Sequence, residues 1–251
     1  MTNIKTYHCS QCGAQHNWHD KTLPPDWEHI GGVLRCGDCR ASAQDNDTAA
    51  PDLAISETAI RLLSGAYLDL AEPDCSVITG ADVAAGLRQP RFCGQTRKFY
   101  TIAQHSLLVL QLVRPIARKL GGDKGLQLMR CALMHDAAEA FLHDITRPLK
   151  MQLPDYRRIE ARFELRMADR FGFKWTDYRR DTVKHADLQA LAIEQRDLHG
   201  GAGDNWPILA SIDRGQLTSI GIRRAWHPDE AQDRFLIAFD DLFSKEERIA
   251  A

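Results

Sequence analysis

The sequence predicts an all-α fold, a helical bundle with a small four-cysteine module ahead of it. Three observations carry that expectation. Four of the seven cysteines fall in two Cys-x-x-Cys pairs, Cys9/Cys12 and Cys36/Cys39. From about residue 79 onward, apolar residues recur mainly at helical spacing. The stretch Cys131-Ala-Leu-Met-His-Asp-Ala-Ala-Glu139 is nearly all apolar, yet His135, Asp136 and Glu139 are set into it. The expected organisation is a module over 1–42, a linker over 43–54 and a helical domain over 55–251.

A chain of 251 residues can bury one sizeable core and still carry a small appendage. Hydrophobic content of 44%, charged content of 26% and a net charge of -2 describe an ordinary globular profile. That balance excludes a wholly basic polyanion-binding surface but allows a local basic pocket. The start, Met1-Thr-Asn-Ile-Lys-Thr-Tyr-His8, has no apolar signal core. Runs such as Leu107–Leu110 are too short to span a bilayer. A cytoplasmic protein with no membrane partner is expected.

Two Cys-x-x-Cys turns in a reducing compartment favour metal over disulfides. Each turn can aim two thiolates at one ion, so Cys9, Cys12, Cys36 and Cys39 complete a tetrahedral zinc site. With short strand-like flanks such as Gly32–Arg35, the module resembles a zinc ribbon, and the metal would supply much of its folding energy. Its few basic residues (Lys5, Lys21, Arg35, Arg40) leave a weak nucleic-acid footprint. A structural or oligomer-contact role is expected instead, within a homo-oligomer.

The polar, breaker-rich residues 41–52 read as the linker. Residues 55–80 fit either a short hairpin or a helix end. Thr79 or Asp82 then caps a helix through Leu87. A second helix runs from about Thr101 to Leu120 and carries His105, with Pro115 expected to kink or divide it. A third, from Gly125 to Ala140, carries His135, Asp136 and Glu139. Ile159, Phe163, Met167 and Phe171 form the stripe of a helix over 154–171. Asp187 sits in a helix from Tyr178 to Leu198. A last helix from Asp229 to about Glu247 buries Phe235, Phe239, Leu242 and Phe243.

Buried imidazoles and carboxylates are costly unless something satisfies them together. His105, His135, Asp136 and Asp187 arrive from three helices and make a mixed N/O set suited to one divalent ion. Co, Mn, Mg, Zn and Fe all fit such a set. Four protein ligands leave positions open for water and substrate, as a catalytic rather than structural metal requires. His105 alone would more simply be a hydrogen-bonded core histidine, and the other three ligands change that reading. His143 and His185 raise the question of a second metal and are read as supporting or surface groups.

The order His…His-Asp…Asp resembles the HD superfamily of metal-dependent phosphohydrolases. Arg91-Phe-Cys-Gly94, Tyr100-Thr-Ile-Ala-Gln-His105-Ser, His135-Asp-Ala-Ala-Glu139 and Asp144-Ile-Thr-Arg-Pro-Leu-Lys150 resemble the branch with bacterial 5′-deoxynucleotidases and phage deoxynucleotide hydrolases. The resemblance covers roughly residues 60–200. It implies that His105, His135, Asp136 and Asp187 hold the metal. Glu139, one turn from the ligands, would do acid–base work on the attacking water or the leaving group. Arg91 would clamp phosphate. Asp144, Thr146 and Arg147 would belong to a loop meeting the nucleotide, with Asp144 also a catalytic candidate that holds sugar or water, and Lys150 would neutralise phosphate. Phe92 stands where characterised relatives often have Trp, which leaves base preference open.

The expectation is thus a phosphohydrolase of nucleotides, foremost a 5′-deoxynucleotidase releasing phosphate from deoxynucleoside monophosphates. A dNTP (dATP) triphosphohydrolase is the alternative within the same chemistry. A nucleotide-sensing or nucleic-acid-binding regulator that uses the ribbon is the alternative outside it.

Overall fold

The computed structural model describes residues 5–8, 15–18, 27–30, 33–36, 55–200 and 205–243. The chain divides into two compact units, Met1–Ile55 and Ser56–Ala251.

The first unit contains two antiparallel hairpins. β1 (Lys5–His8) pairs with β2 (Gln15–Trp18), and β3 (Glu28–Ile30) pairs with β4 (Val33–Arg35). Cys36 directly follows β4 and is buried against Trp27. Cys9, Cys12 and Cys39 of the expected zinc site lie outside the described residues, as does the linker.

The second unit is mostly helical. It opens with a hairpin, β5 (Ala59–Arg61) on β6 (Tyr67–Asp69), which settles the ambiguity over residues 55–80. Gly65 turns it with φ 91, a backbone region that glycine enters without steric cost. Helix α1 (Gly80–Gly86) begins in a capping box, in which the Thr79 hydroxyl accepts from the Asp82 amide while the Asp82 carboxylate accepts from the Thr79 amide. The other Asp82 oxygen accepts from the Ser64 amide at 2.8 Å, tying helix to hairpin.

Helix α2 (Ile102–Leu120) is capped by Thr101 and is the central element, packed on α3 (Gly122–Leu133), α7 (Asp177–Leu198) and α8 (Pro228–Phe243). Pro115 does not divide α2. Pro115 and the residue four before it, Gln111, are both exposed, so the carbonyl that loses its amide partner faces water. Gly125 lets α3 approach α2 closely, since a Cβ there would stand 2.3 Å from the Ala117 carbonyl oxygen.

The expected helix from Gly125 to Ala140 is two helices. α3 ends at Leu133, residues 134–138 are turns, and α4 (Glu139–Leu142) resumes. The short α5 (Arg147–Lys150) precedes α6 (Pro154–Arg170), whose stripe buries Phe163 and Met167 completely. α8 is described to Phe243 and buries Phe235, Phe239 and Leu242, while Phe243 is half-buried. The apolar faces of the helices meet in a single core cluster. Among the described residues, no helix is long and apolar enough to cross a membrane.

Candidate metal centre

The break after Leu133 positions the centre. Adjacent residues on a helix point about 100° apart and do not face a common neighbour. By leaving the helix, the chain lets His135 and Asp136 turn toward one point. There they meet His105 from α2 and Asp187 from α7. One ligand atom each from His105, His135 and Asp187 lies within 4.8 Å of the others. The Nε2 atoms of His105 and His135 are 3.2 Å apart. Asp136 Oδ2 lies 3.4 Å from the first and 3.3 Å from the second, and Asp187 Oδ1 is 3.3 Å from His105 Nε2. His105, His135 and Asp187 thus form a group that could hold an ion, and Asp136 joins them through its contacts to both imidazoles.

Their surroundings set which atoms face inward. His135 Nδ1 is 2.9 Å from the Ala132 carbonyl, which can only accept, so Nδ1 carries a proton and donates it. His105 Nδ1 lies 2.6 Å from Glu194 Oε1. Both Nε2 atoms thus point at each other and at two carboxylates. Such an arrangement requires a positive charge at its middle, either a proton or a metal ion. The protonation behaviour reports the same demand. Burial and the Arg91 charge oppose protonation of His105, but Glu194 and Asp187 carry its pKa up to about 10. Burial would raise the Asp187 carboxyl, yet His105, His135 and Lys184 hold it well below the usual carboxylate range. Asp136 is likewise held low against its burial, chiefly by His135.

Arg91 reaches the same cluster. Its guanidinium stands 3.2 Å from Asp136, 3.8 Å from Asp187 and 3.3 Å from Glu194. Glu194 is wholly buried and escaped the sequence reading. Its signal was the spacing to Asp187, seven residues or two turns along one helix face.

Beside the ligands opens a cavity of about 500 Å³, lined in part by Asp136, Glu139 and Asp187. The six predicted substrate residues, Arg91, Phe92, Asp144, Thr146, Arg147 and Lys150, all line it. Glu139 is buried, and its Oε2 has no hydrogen-bond partner. Burial, then repulsion from Asp136 and Asp144, holds its carboxyl well above the usual range. Lys150 is not a free cation, because its Nζ lies 2.5 Å from Glu160 and 3.7 Å from Glu139. Asp144 accepts a 2.9 Å hydrogen bond from the Phe92 amide. That bond braces an unusual turn, since Phe92, Cys93 and Gly94 all have positive φ (57°, 52° and 73°). The Phe92 ring meets His199 and Trp206 edge-on, and Trp206 and Ile208 line the cavity from the segment between α7 and α8. His143 and His185 are exposed, and neither joins the group of candidate ligands found among the described residues.

With this geometry in hand, comparison with known proteins places the chain. It is 36% identical over 177 residues to YfdR, an uncharacterized protein of Escherichia coli, covering 70% of this chain and 89% of YfdR. The chain belongs to the YfdR family. An uncharacterized protein of Rhodobacter capsulatus is 38% identical over 147 residues, covering 56% of this chain and 72% of that one. No family model matches the chain.

Proposed function

We propose that this YfdR-family chain is a metal-dependent phosphohydrolase that removes the 5′-phosphate from a deoxynucleoside monophosphate. The observation that carries the reading is the convergence of His105, His135 and Asp187 ligand atoms within 4.8 Å at the edge of a 500 Å³ cavity. A divalent cation there would polarise a phosphoryl group and acidify water.

The residues have distinct tasks. His105, His135, Asp136 and Asp187 would hold the cation. Arg91 presents a planar fork at the cavity wall, suited to phosphate oxygens. Glu139, buried beside the ligands with its carboxyl pKa raised by that burial, would hand a proton to the leaving ester oxygen. Phe92 and Trp206 offer aromatic edges to a base or sugar, while Leu188 and Leu191 line the cavity with aliphatic surface.

Charge pairing favours a monophosphate. Arg91 faces three carboxylates, Lys150 faces two and Lys184 is 2.7 Å from Asp187, which leaves Arg147 as the cavity-lining cation without an ion pair among the described residues, enough for one phosphate and too few for a chain of three. The preference for deoxyribose rests on the resemblance to HD-superfamily deoxynucleotidases alone. The test is release of orthophosphate from a panel including dAMP, AMP and dATP with Mn²⁺, Co²⁺ or Mg²⁺ added. Orthophosphate from dAMP is expected. Intact triphosphate from dATP would replace the monophosphatase reading with a triphosphohydrolase. No turnover of any nucleotide with any ion would refute the enzyme and favour a nucleotide-sensing protein.

A further inference from the structure

We propose that Glu194 is a positioning residue whose single carboxylate aligns both the cation centre and the arginine facing the anion. The proposal rests on the reading of the centre given above. Glu194 is wholly buried on α7, two turns beyond Asp187. A buried carboxylate is tolerated only when its oxygens are well paired, and these two are paired with different machinery. Oε1 takes His105 Nδ1 at 2.6 Å, and Oε2 takes Arg91 Nε at 3.3 Å.

Each contact has a consequence at the cavity. The proton held on Nδ1 leaves His105 Nε2 as the nitrogen that faces His135 and Asp187. Metal-bound histidines depend on such a carboxylate for ring orientation and basicity. The contact at Nε holds Arg91 by its inner edge, so the two terminal nitrogens point toward Asp136 and Asp187 at the cavity. A cation that engages those two carboxylates weakens their hold on Arg91, while the Glu194 contact keeps the fork in place. Cation affinity and anion affinity are thereby joined through one side chain.

Glu194→Gln tests this with almost no change in volume. The single amide oxygen can accept from His105 or from Arg91, and the amide NH₂ then opposes the other donor. Mn²⁺ is the probe, because thiolates such as those of the four-cysteine module bind this hard ion poorly. Titration followed by water-proton relaxation should show Mn²⁺ affinity reduced about 10–100-fold, and at saturating Mn²⁺ the KM for dAMP should rise about tenfold. Unchanged Mn²⁺ affinity in a folded Glu194→Gln protein overturns the proposal, as does weakened Mn²⁺ binding with an unchanged KM. A second measurement needs no variant. Histidine-ring ¹⁵N spectra of the zinc-loaded wild type should place the His105 proton on Nδ1 and the metal on Nε2, and ligation through Nδ1 would overturn the proposal. A wild type that binds no Mn²⁺ and releases no phosphate refutes the centre itself. A wild type that does both, with an indifferent Glu194→Gln, refutes only the role of Glu194.

Discussion

Replacing Glu139 with methionine should make the protein more stable and almost inactive. The side chain is buried, its Oε2 has no hydrogen-bond partner, and its burial beside Asp136 and Asp144 disfavours the charge. An unsatisfied buried polar atom costs about 1–3 kcal/mol. Methionine has nearly the same length and volume, so it removes that cost without opening a cavity. The Lys150 contact that is lost spans 3.7 Å, and Lys150 keeps Glu160 at 2.5 Å. Losing such a partly exposed pair costs less than about 1 kcal/mol. The net gain is about 1–2 kcal/mol, which raises Tm by roughly 2–8 °C in a domain of this size. The lost proton donor lowers kcat about 10²–10⁴-fold. Scanning calorimetry and orthophosphate release from dAMP measure the two, and Mn²⁺ affinity should stay near wild type because Glu139 is not a ligand. A lowered Tm, or a kcat within about threefold of wild type, refutes the reasoning.

Three further outcomes follow from the same geometry. Because the Glu139 pKa is raised in the fold, the carboxyl adds no ionisation penalty below its unfolded pKa, and the fold loses stability as pH rises from there through the folded value. The Tm advantage of Glu139→Met should therefore widen toward alkaline pH, while wild-type kcat falls on the same side as the acid loses its proton. In Gly86→Ala, the new Cβ would stand 2.4 Å from the Ala140 carbonyl oxygen and force α1 away from α4. This should cost about 1–3 kcal/mol in urea unfolding, outweighing the gain of about 1 kcal/mol in helix propensity, and a stabilised variant would contradict the packing. Trp206→Ala removes an aromatic edge from the cavity, and if nucleotide recognition uses it, KM should rise about 2–12-fold with kcat unchanged.

Much of this architecture can be read without coordinates. Thr79 or Asp82 reads as a helix cap because capping chemistry is local, and the structure uses both in one box. The spacing of Phe163 and Met167 reads as a buried stripe because helical periodicity is strict. His105, His135, Asp136 and Asp187 stand out because polar residues in apolar helices demand a partner. The rest depends on distance in three dimensions. A helix through Gly125–Ala140 fits the local spacing of apolar residues, and the break at 134–138 that turns His135 and Asp136 toward one point carries no local signal. Glu194 looks like an ordinary helical glutamate until His105 and Arg91, 89 and 103 residues away in sequence, are brought beside it. Trp206 lies in a segment without periodicity, so nothing local assigns it to a cavity wall. The pairing of Arg91 and Lys150 with carboxylates is equally invisible in the chain.

The turn at Phe92–Gly94 limits how this site can be re-engineered. Phe92 and Cys93 hold positive φ against the preference of residues that carry a side chain, Gly94 takes its positive φ without that cost, and the Asp144 carboxylate that grips the Phe92 amide belongs to a different loop. The two loops are therefore one mechanical unit. A graft of residues 91–94 from a relative would relax unless the carboxylate at 144 travelled with it, and changes at 144 would reshape the cavity wall at Phe92 through that amide contact.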